Sequence, residues 1–101
     1  MNADKLPRLS GTESVILDLL RSRDMYGLEL VTASEGALKR GTVYVTLGRM
    51  EEKGYVESWA EKNPVHSGLP RRLYRATALG ARVLDAWSLM AASLASVRRR
   101  A

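Results

Sequence analysis

Residues 39–54 read KRGTVYVTLGRMEEKG. Val43, Leu47 and Met50 recur at spacings of four and three, which places them on one face of a helix. Gly54 is a typical C-terminal stop for that helix. A nucleotide-binding loop would need G-x-x-x-x-G-K-[ST] or G-x-G-x-x-G, and neither run occurs here. The segment therefore predicts a helix with a buried face, and its function depends on the outer face.

The outer face of this helix combines two hydroxyl side chains with two cations, at Thr42, Thr46, Arg49 and Lys53. Such a surface can enter a DNA major groove, with hydroxyls reaching phosphates or bases and Arg49 binding guanine or phosphate bidentately. Lys39 and Arg40 lie just upstream, where the DNA backbone would pass and where a helix N-terminus favours phosphate. The alternative is an ordinary solvated face.

Two helices are predicted before this segment. Ser10 and Glu13 have the spacing of a capping box, so the first helix begins near residues 11 to 12. Its body, SVILDLL, is apolar around most of the circumference, which predicts a second burying surface such as another subunit. A short second helix follows in MYGLELVTASEG, with Asp24 as its cap and Gly36 as its end.

A β-hairpin and a last helix are predicted after it. YVESWA (55–60) and RRLYRAT (71–77) are typical of strands, and EKNPVHSGLP forms a long loop between them. Thr77 can cap a helix running to about residue 97. The order predicts a mainly α fold with a small β-hairpin. We expect a winged helix-turn-helix DNA-binding domain at 1–76 and a dimerisation helix with a basic tail at 77–101.

Basic residues lie at or beside the hairpin tip, at Lys62, Arg71 and Arg72. We expect them to contact phosphates or a minor groove as a wing does. The alternative is that Arg72 and Arg75 pair across the strands with Glu57 and Glu61.

The last helix carries an apolar seam with spacings of four, three, four and three, at Val83, Trp87, Met90, Leu94 and Val97. This a/d-like seam of about two heptads is suited to packing against a second helix. Since a winged domain already has its own core, we expect a homodimer. Ile16 and Leu20 of the first helix are expected at the same interface.

Composition restricts the function classes further. The 101 residues fit one small domain, and 16 Lys and Arg against 11 Asp and Glu give a net charge of +5, which favours an anionic partner. The chain has no cysteine and one histidine, so we expect no metal site, no cofactor and no enzymatic cluster. No apolar run has the length of a membrane span, and we expect a cytoplasmic protein.

Three blocks, MYGLEL, GTVYVTLGRMEEKGYVES and PRRLYRAT, resemble the PadR family of bacterial transcriptional regulators over about residues 9 to 80. The resemblance implies that Thr42 and Tyr44 lie near DNA, with Tyr44 at the phosphate backbone, and that Tyr26 lies near the backbone at the start of the second helix. The chain departs from the family pattern at Val45, where proline is usual, and at residues 26–28, where His-Gly-Tyr is common.

The family also dimerises through its C-terminal helices, and a single helix after the wing resembles its short-tailed branch. Some short-tailed relatives bind flat hydrophobic compounds with a tryptophan on this helix, so the resemblance makes Trp87 a candidate ligand contact. The alternative is that Trp87 packs in the core of the dimer interface. We therefore expect a repressor that binds double-stranded DNA at an inverted repeat and is released by a hydrophobic or aromatic effector. The rival is a winged-helix module that binds a protein without DNA specificity.

Overall fold

The computed structural model of the chain describes residues 8–61 and 71–100. Its elements, in order, are α1 (Gly11–Leu20), β1 (Met25–Tyr26), α2 (Gly27–Ala33), α3 (Arg40–Glu52), β2 (Val56–Glu61), β3 (Arg71–Ala76) and α4 (Ala78–Arg100). The prediction of a mainly helical winged helix-turn-helix is confirmed. The predicted tip of the hairpin, including Lys62, lies outside the described residues.

Helix α1 begins at the predicted capping box and forms the centre of the fold. The Glu13 backbone N–H donates to Ser10 Oγ at 3.1 Å, and Glu13 Oε1 accepts from the Ser10 N–H at 2.9 Å. Helices α2, α3 and α4 and strand β3 all contact α1. Ile16 is 0% exposed and Leu20 5%, so the chain's own elements cover them. The prediction that they lie in a subunit interface is wrong, because both side chains are buried by other elements of the same chain.

The sheet has three antiparallel strands in the order β1-β3-β2, and the sequence predicted only two of them. Strand β1 is two residues long and pairs Met25 with Tyr74, which is too short to show an alternating pattern. The expected helix cap, Asp24, instead accepts a hydrogen bond from Arg75 Nη2 at 3.0 Å. Helix α2 starts after Tyr26, whose backbone N–H donates to Glu29 Oε1 at 2.9 Å.

Helix α3 ends in a Schellman motif that turns the chain directly into β2. Gly54 adopts a φ of 81°, which favours glycine, and its N–H donates to the Glu51 carbonyl at 3.0 Å. The Tyr55 N–H donates to the Met50 carbonyl at 2.9 Å. Met50 and Tyr55 are both buried, as is usual for the hydrophobic contact of this motif.

The start of α4 is bonded to the turn that follows α3. The Thr77 N–H donates to the Tyr55 carbonyl at 3.0 Å, and the Thr77 hydroxyl donates to the Gly54 carbonyl. The same hydroxyl accepts from the Gly80 N–H at 3.0 Å, which makes Thr77 the predicted cap. A β-carbon at Gly80 would collide with the Tyr55 carbonyl oxygen. Only glycine therefore allows α4 to approach this turn.

The first turns of α4 belong to the core, and its later turns leave it. Val83 and Leu84 are 7% and 5% exposed, so the predicted interface role of Val83 is corrected to core packing. Trp87 is half-buried against the core. Beyond it the apolar side chains are open, with exposures of 71% for Leu89, 41% for Met90, 55% for Leu94 and 65% for Val97. Within residues 8–61 and 71–100, no helix combines the length and apolar character needed to cross a membrane.

Candidate nucleic-acid interface

Helix α3 has a fully buried face, formed by Val43, Leu47 and Met50, each 0% exposed. At about 3.6 residues per turn, the side directly opposite carries Gly41, Val45, Gly48 and Glu52, all exposed. The predicted stripe of Thr42, Thr46, Arg49 and Lys53 therefore lies on one flank of the exposed surface. The outermost side of α3 is a surface that sequence reasoning did not single out.

The two threonines of the stripe are held by their own helix. The Thr42 hydroxyl donates to the Lys39 carbonyl at 3.3 Å, and the Thr46 hydroxyl donates to the Thr42 carbonyl at 3.1 Å. With the single hydroxyl proton used, each oxygen remains an acceptor. In this arrangement the two oxygens can accept hydrogen bonds from the amino groups of bases. They cannot donate to phosphates, which are themselves acceptors.

The charged side chains of α3 are separated by sign along the helix. Lys39, Arg40 and Arg49 are exposed, and no ion pair to them occurs among residues 8–61 and 71–97. Glu51 and Glu52, also exposed, lie at the C-terminal end. The positive end of the helix dipole adds to the cations at the N-terminus. The N-terminal two-thirds of α3 is thus the part that attracts a polyanion.

Lys53, the fourth residue of the stripe, points to α1. Its ammonium lies 2.8 Å from Glu13 Oε2, and Nζ is 5.7 Å from the centre of the Tyr55 ring. Burial acts to raise the pKa of Glu13, but hydrogen bonds from Lys53 and Ser10 outweigh it and hold the pKa below its usual value. Glu13 is therefore a buried carboxylate that occupies Lys53, and a phosphate would have to compete with it.

The ring of Tyr44 lies over Gly27, the first residue of α2. A β-carbon at residue 27 would stand 2.5 Å from Tyr44 Cε1 and 2.8 Å from Tyr44 Oη. The ring is 48% exposed and so reaches the surface. The glycine of the Tyr26-Gly27 pair thus makes room for an aromatic side chain that the sequence predicted at the DNA backbone.

Tyr26 links the start of α2 to the wing. Its hydroxyl donates to Glu61 Oε1 at 2.8 Å, and the Arg71 guanidinium lies 5.4 Å from the centre of its ring. The hydrogen bond to Glu61 raises the pKa of Tyr26. Glu61 is opposite Arg71 in the β2–β3 register. The Tyr26 ring therefore packs against the Arg71 guanidinium beside the start of α2, and its hydroxyl is bonded to the strand residue opposite Arg71.

Four predicted contacts meet at one groove between the start of α2, helix α3 and strand β3. The groove has a volume of about 690 Å³, and its lining includes Tyr26, Tyr44, Arg71 and Arg72. Glu29 also lines it, but this carboxylate is bonded to the Tyr26 N–H and paired with Arg23 at 3.0 Å. The groove therefore places the Tyr44 hydroxyl and the guanidinium groups of Arg71 and Arg72 together, which is a donor set for phosphate.

The alternative role for the β3 arginines, pairing with an acidic residue on the neighbouring strand, is observed for Arg75. This side chain contacts Asp24, lies 3.8 Å from Glu57, and stacks on Trp59 at 4.9 Å from the ring centre. Arg72 faces Ala60 in the register. The arginine of β3 with a structural role is therefore Arg75, while Arg71 and Arg72 line the groove.

Known structures share this fold. A PadR family transcription regulator from Clostridium difficile R20291 is 28% identical, with 90% of this chain and 97% of that chain covered and a TM-score of 0.76. A PadR family regulator from Eggerthella lenta is 27% identical, with 87% and 78% covered and a TM-score of 0.74. Bacillus subtilis PadR, solved in complex with operator DNA, is 18% identical, with 80% and 48% covered and a TM-score of 0.72.

A search of curated proteins gives no match. The family model described as the transcriptional regulator PadR-like family matches residues 16–86. That range contains α2, α3, both wing strands and the start of α4, so the predicted resemblance is confirmed on the residues that carried it. The match spans more than half of the chain, and the protein belongs to the PadR-like family of transcriptional regulators.

Proposed function

We propose that the protein is a sequence-specific DNA-binding repressor that acts as a homodimer on an inverted-repeat operator. The observation that carries this proposal is the division of α3. Val43, Leu47 and Met50 are completely buried, while the exposed N-terminal part of the helix presents cations and hydroxyl acceptors beside the groove lined by Arg71 and Arg72. This arrangement fits a recognition helix that enters the major groove by its N-terminal residues.

Each side chain has a distinct role in the proposed complex. Thr42, Thr46 and Arg49 face base edges, with Arg49 suited to the O6 and N7 acceptors of guanine. Phosphates are contacted by the groups around the edge of this surface, namely Lys39, Arg40, Tyr44, Arg71 and Arg72, with Tyr26 holding Arg71 in place. The operator complex of the Bacillus subtilis relative, which has the same fold, supports a DNA partner.

The rival function, a protein-binding winged helix, requires exposed apolar residues on the same surface. Val45 and Leu28 are exposed there, at 57% and 44%. They are side chains on different helices, and Val45 lies between Gly41 and Gly48 on its side of α3, with the cation Arg49 one turn away. A protein-binding surface is normally a contiguous apolar patch. The charge pattern therefore favours DNA.

The proposed dimer uses the exposed part of α4, residues 89–97, as its seam. The helix has 23 residues, or about 34 Å, and only its first turns are covered by the chain. Trp87 lies at the boundary between core and seam, where an aromatic effector between subunits would contact it. In this proposal residues 1–76 bind DNA and 77–101 dimerise, in the cytoplasm.

A selection of bound sequences from random DNA duplexes tests the proposal. We expect one enriched sequence with two-fold symmetry. Arg49→Ala should lose the preference at one base pair in each half-site, at a cost of about 1–3 kcal/mol for each contact. Arg82→Ala, which removes the same charge from α4, is the matched control and should select the original sequence. Enrichment of no sequence by the unaltered protein would contradict the proposal.

A further inference from the structure

Val45 is an exposed apolar residue with a glycine on either side of it on the outermost side of α3. It lies four residues after Gly41 and three residues before Gly48, on the side of α3 opposite the core. Within the described residues, and apart from the neighbouring backbone of α3 itself, no atom lies within 4 Å of a β-carbon built at either glycine. Their φ angles are not positive, unlike those of Gly36 and Gly54. Alanine would fit at both positions within the described chain, so the fold itself does not require these two glycines.

The residue types on this side weaken the helix. Glycine is the poorest helix former after proline, and β-branched valine is less favourable than alanine. Packing of Val45 adds little to the stability of the fold, because this residue is 57% exposed. Gly27 and Gly80 differ, since a neighbouring group occupies the space of their β-carbons. The composition of the outermost side of α3 is thus unexplained by folding and is consistent with contact to something outside the chain.

We propose that Val45 reads the C5 methyl group of a thymine in the operator. The thymine methyl is the apolar group that distinguishes base edges in the major groove. The two glycines remove the side chains on either side of Val45, so that the helix backbone can approach the base pairs and the valine methyl groups reach furthest. This inference rests on the proposed function, because it assigns a base contact within that interface.

The position of Val45 on α3 restricts where the thymine lies. Val45 and Arg49 are four residues apart, which is about 6 Å along the helix. Base pairs are spaced about 3.4 Å apart along the duplex. If Arg49 reads a guanine, the thymine read by Val45 is expected within about two base pairs of it in each half-site.

The test uses the sequence obtained by selection and replaces each thymine in turn by deoxyuridine, which lacks only the methyl group. For the unaltered protein, one thymine per half-site should matter, with about fourfold weaker binding after replacement. The Val45→Ala protein should bind the thymine and deoxyuridine duplexes equally. The Arg49→Ala protein is the matched control, because it should keep the sensitivity to that methyl group. Thermal unfolding checks that each variant is folded.

The outcomes separate the two proposals. Selection of a symmetric sequence in which no thymine methyl affects binding would overturn the role of Val45 while leaving the DNA-binding function in place. A Val45→Ala protein that remains sensitive to the same methyl group would also overturn it. Selection of no sequence by the unaltered protein would remove the proposed function, and the role of Val45 with it.

Discussion

The aromatic ring of Tyr44 lies over the α-carbon of Gly27, in space that a β-carbon at residue 27 would occupy. The conflict involves the far end of a side chain that is 48% exposed, so the ring can swing aside without loss of the core. Gly27 therefore sets the direction of Tyr44, and through it one edge of the candidate DNA interface.

Gly27→Ala is predicted to move Tyr44 and weaken operator binding about tenfold, at a cost in unfolding free energy below about 1 kcal/mol. Binding is measured by fluorescence anisotropy and stability by thermal unfolding. The control is the same substitution in a Tyr44→Ala protein, where it should change binding little because the displaced ring is absent. Equal losses in both backgrounds would show that Gly27 acts independently of Tyr44.

Gly48→Ala is predicted to stabilise the protein and weaken its DNA binding. Alanine is favoured over glycine within a helix by about 1 kcal/mol, and no atom of the described chain crowds a β-carbon there. The added methyl would hold the α3 backbone away from base pairs. Urea unfolding and operator affinity measure the two effects. A variant that is more stable and binds equally well would argue against close approach of α3 at this residue.

Glu13→Gln is predicted to remove stability that depends on pH. The pKa of Glu13 is lower in the folded protein than its usual value, so the carboxylate stabilises the fold above about pH 4.5 and this contribution is lost at lower pH. At pH 7 the variant should lose about 1 kcal/mol, and this difference should shrink as the pH falls below about 4.5. Thermal unfolding across this range is the measurement. Glu52→Gln, a change of the same charge at an exposed site, should have little effect at any pH.

Leu94→Glu is predicted to separate the proposed dimer without unfolding the winged domain. Leu94 is 55% exposed in a single chain, and a charge in an apolar seam between helices is unfavourable. Sedimentation measures the oligomeric state. Leu20→Ala, a change in the core, should instead lower the free energy of unfolding by about 2–5 kcal/mol. The folded fraction of this variant should keep its oligomeric state. A Leu94→Glu protein that sediments as a tight dimer would exclude this seam.

Local signals predicted most of the fold. The Ser10–Glu13 box, the period of Val43, Leu47 and Met50, and Gly54 each act through neighbouring residues, and the structure has all three. Strand β1 was missed because two residues carry no period. The interface role of Ile16 was wrong because the sequence shows that a side chain is apolar, whereas its burial partner depends on how distant elements pack.

The sequence predicted which residue types form the candidate site, but it did not predict most of the contacts between them. A helical period places Lys53 on the same stripe as Arg49, but only the fold brings Glu13 within reach of its ammonium. Likewise, the sequence indicates that Arg71 and Arg72 are near the wing, while the bond between Tyr26 and Glu61 comes from strand pairing. Contacts between residues distant in sequence are what the local pattern does not contain.

The turn between α3 and β2 couples α3 to the start of α4. Thr77 is bonded to the carbonyls of Gly54 and Tyr55, and Gly80 leaves no gap between α4 and this turn. Across the roughly 34 Å length of α4, a tilt of about 10° moves the far end by about 6 Å. A force that tilts α4 as a rigid body must therefore either rotate α3 with it or break these hydrogen bonds.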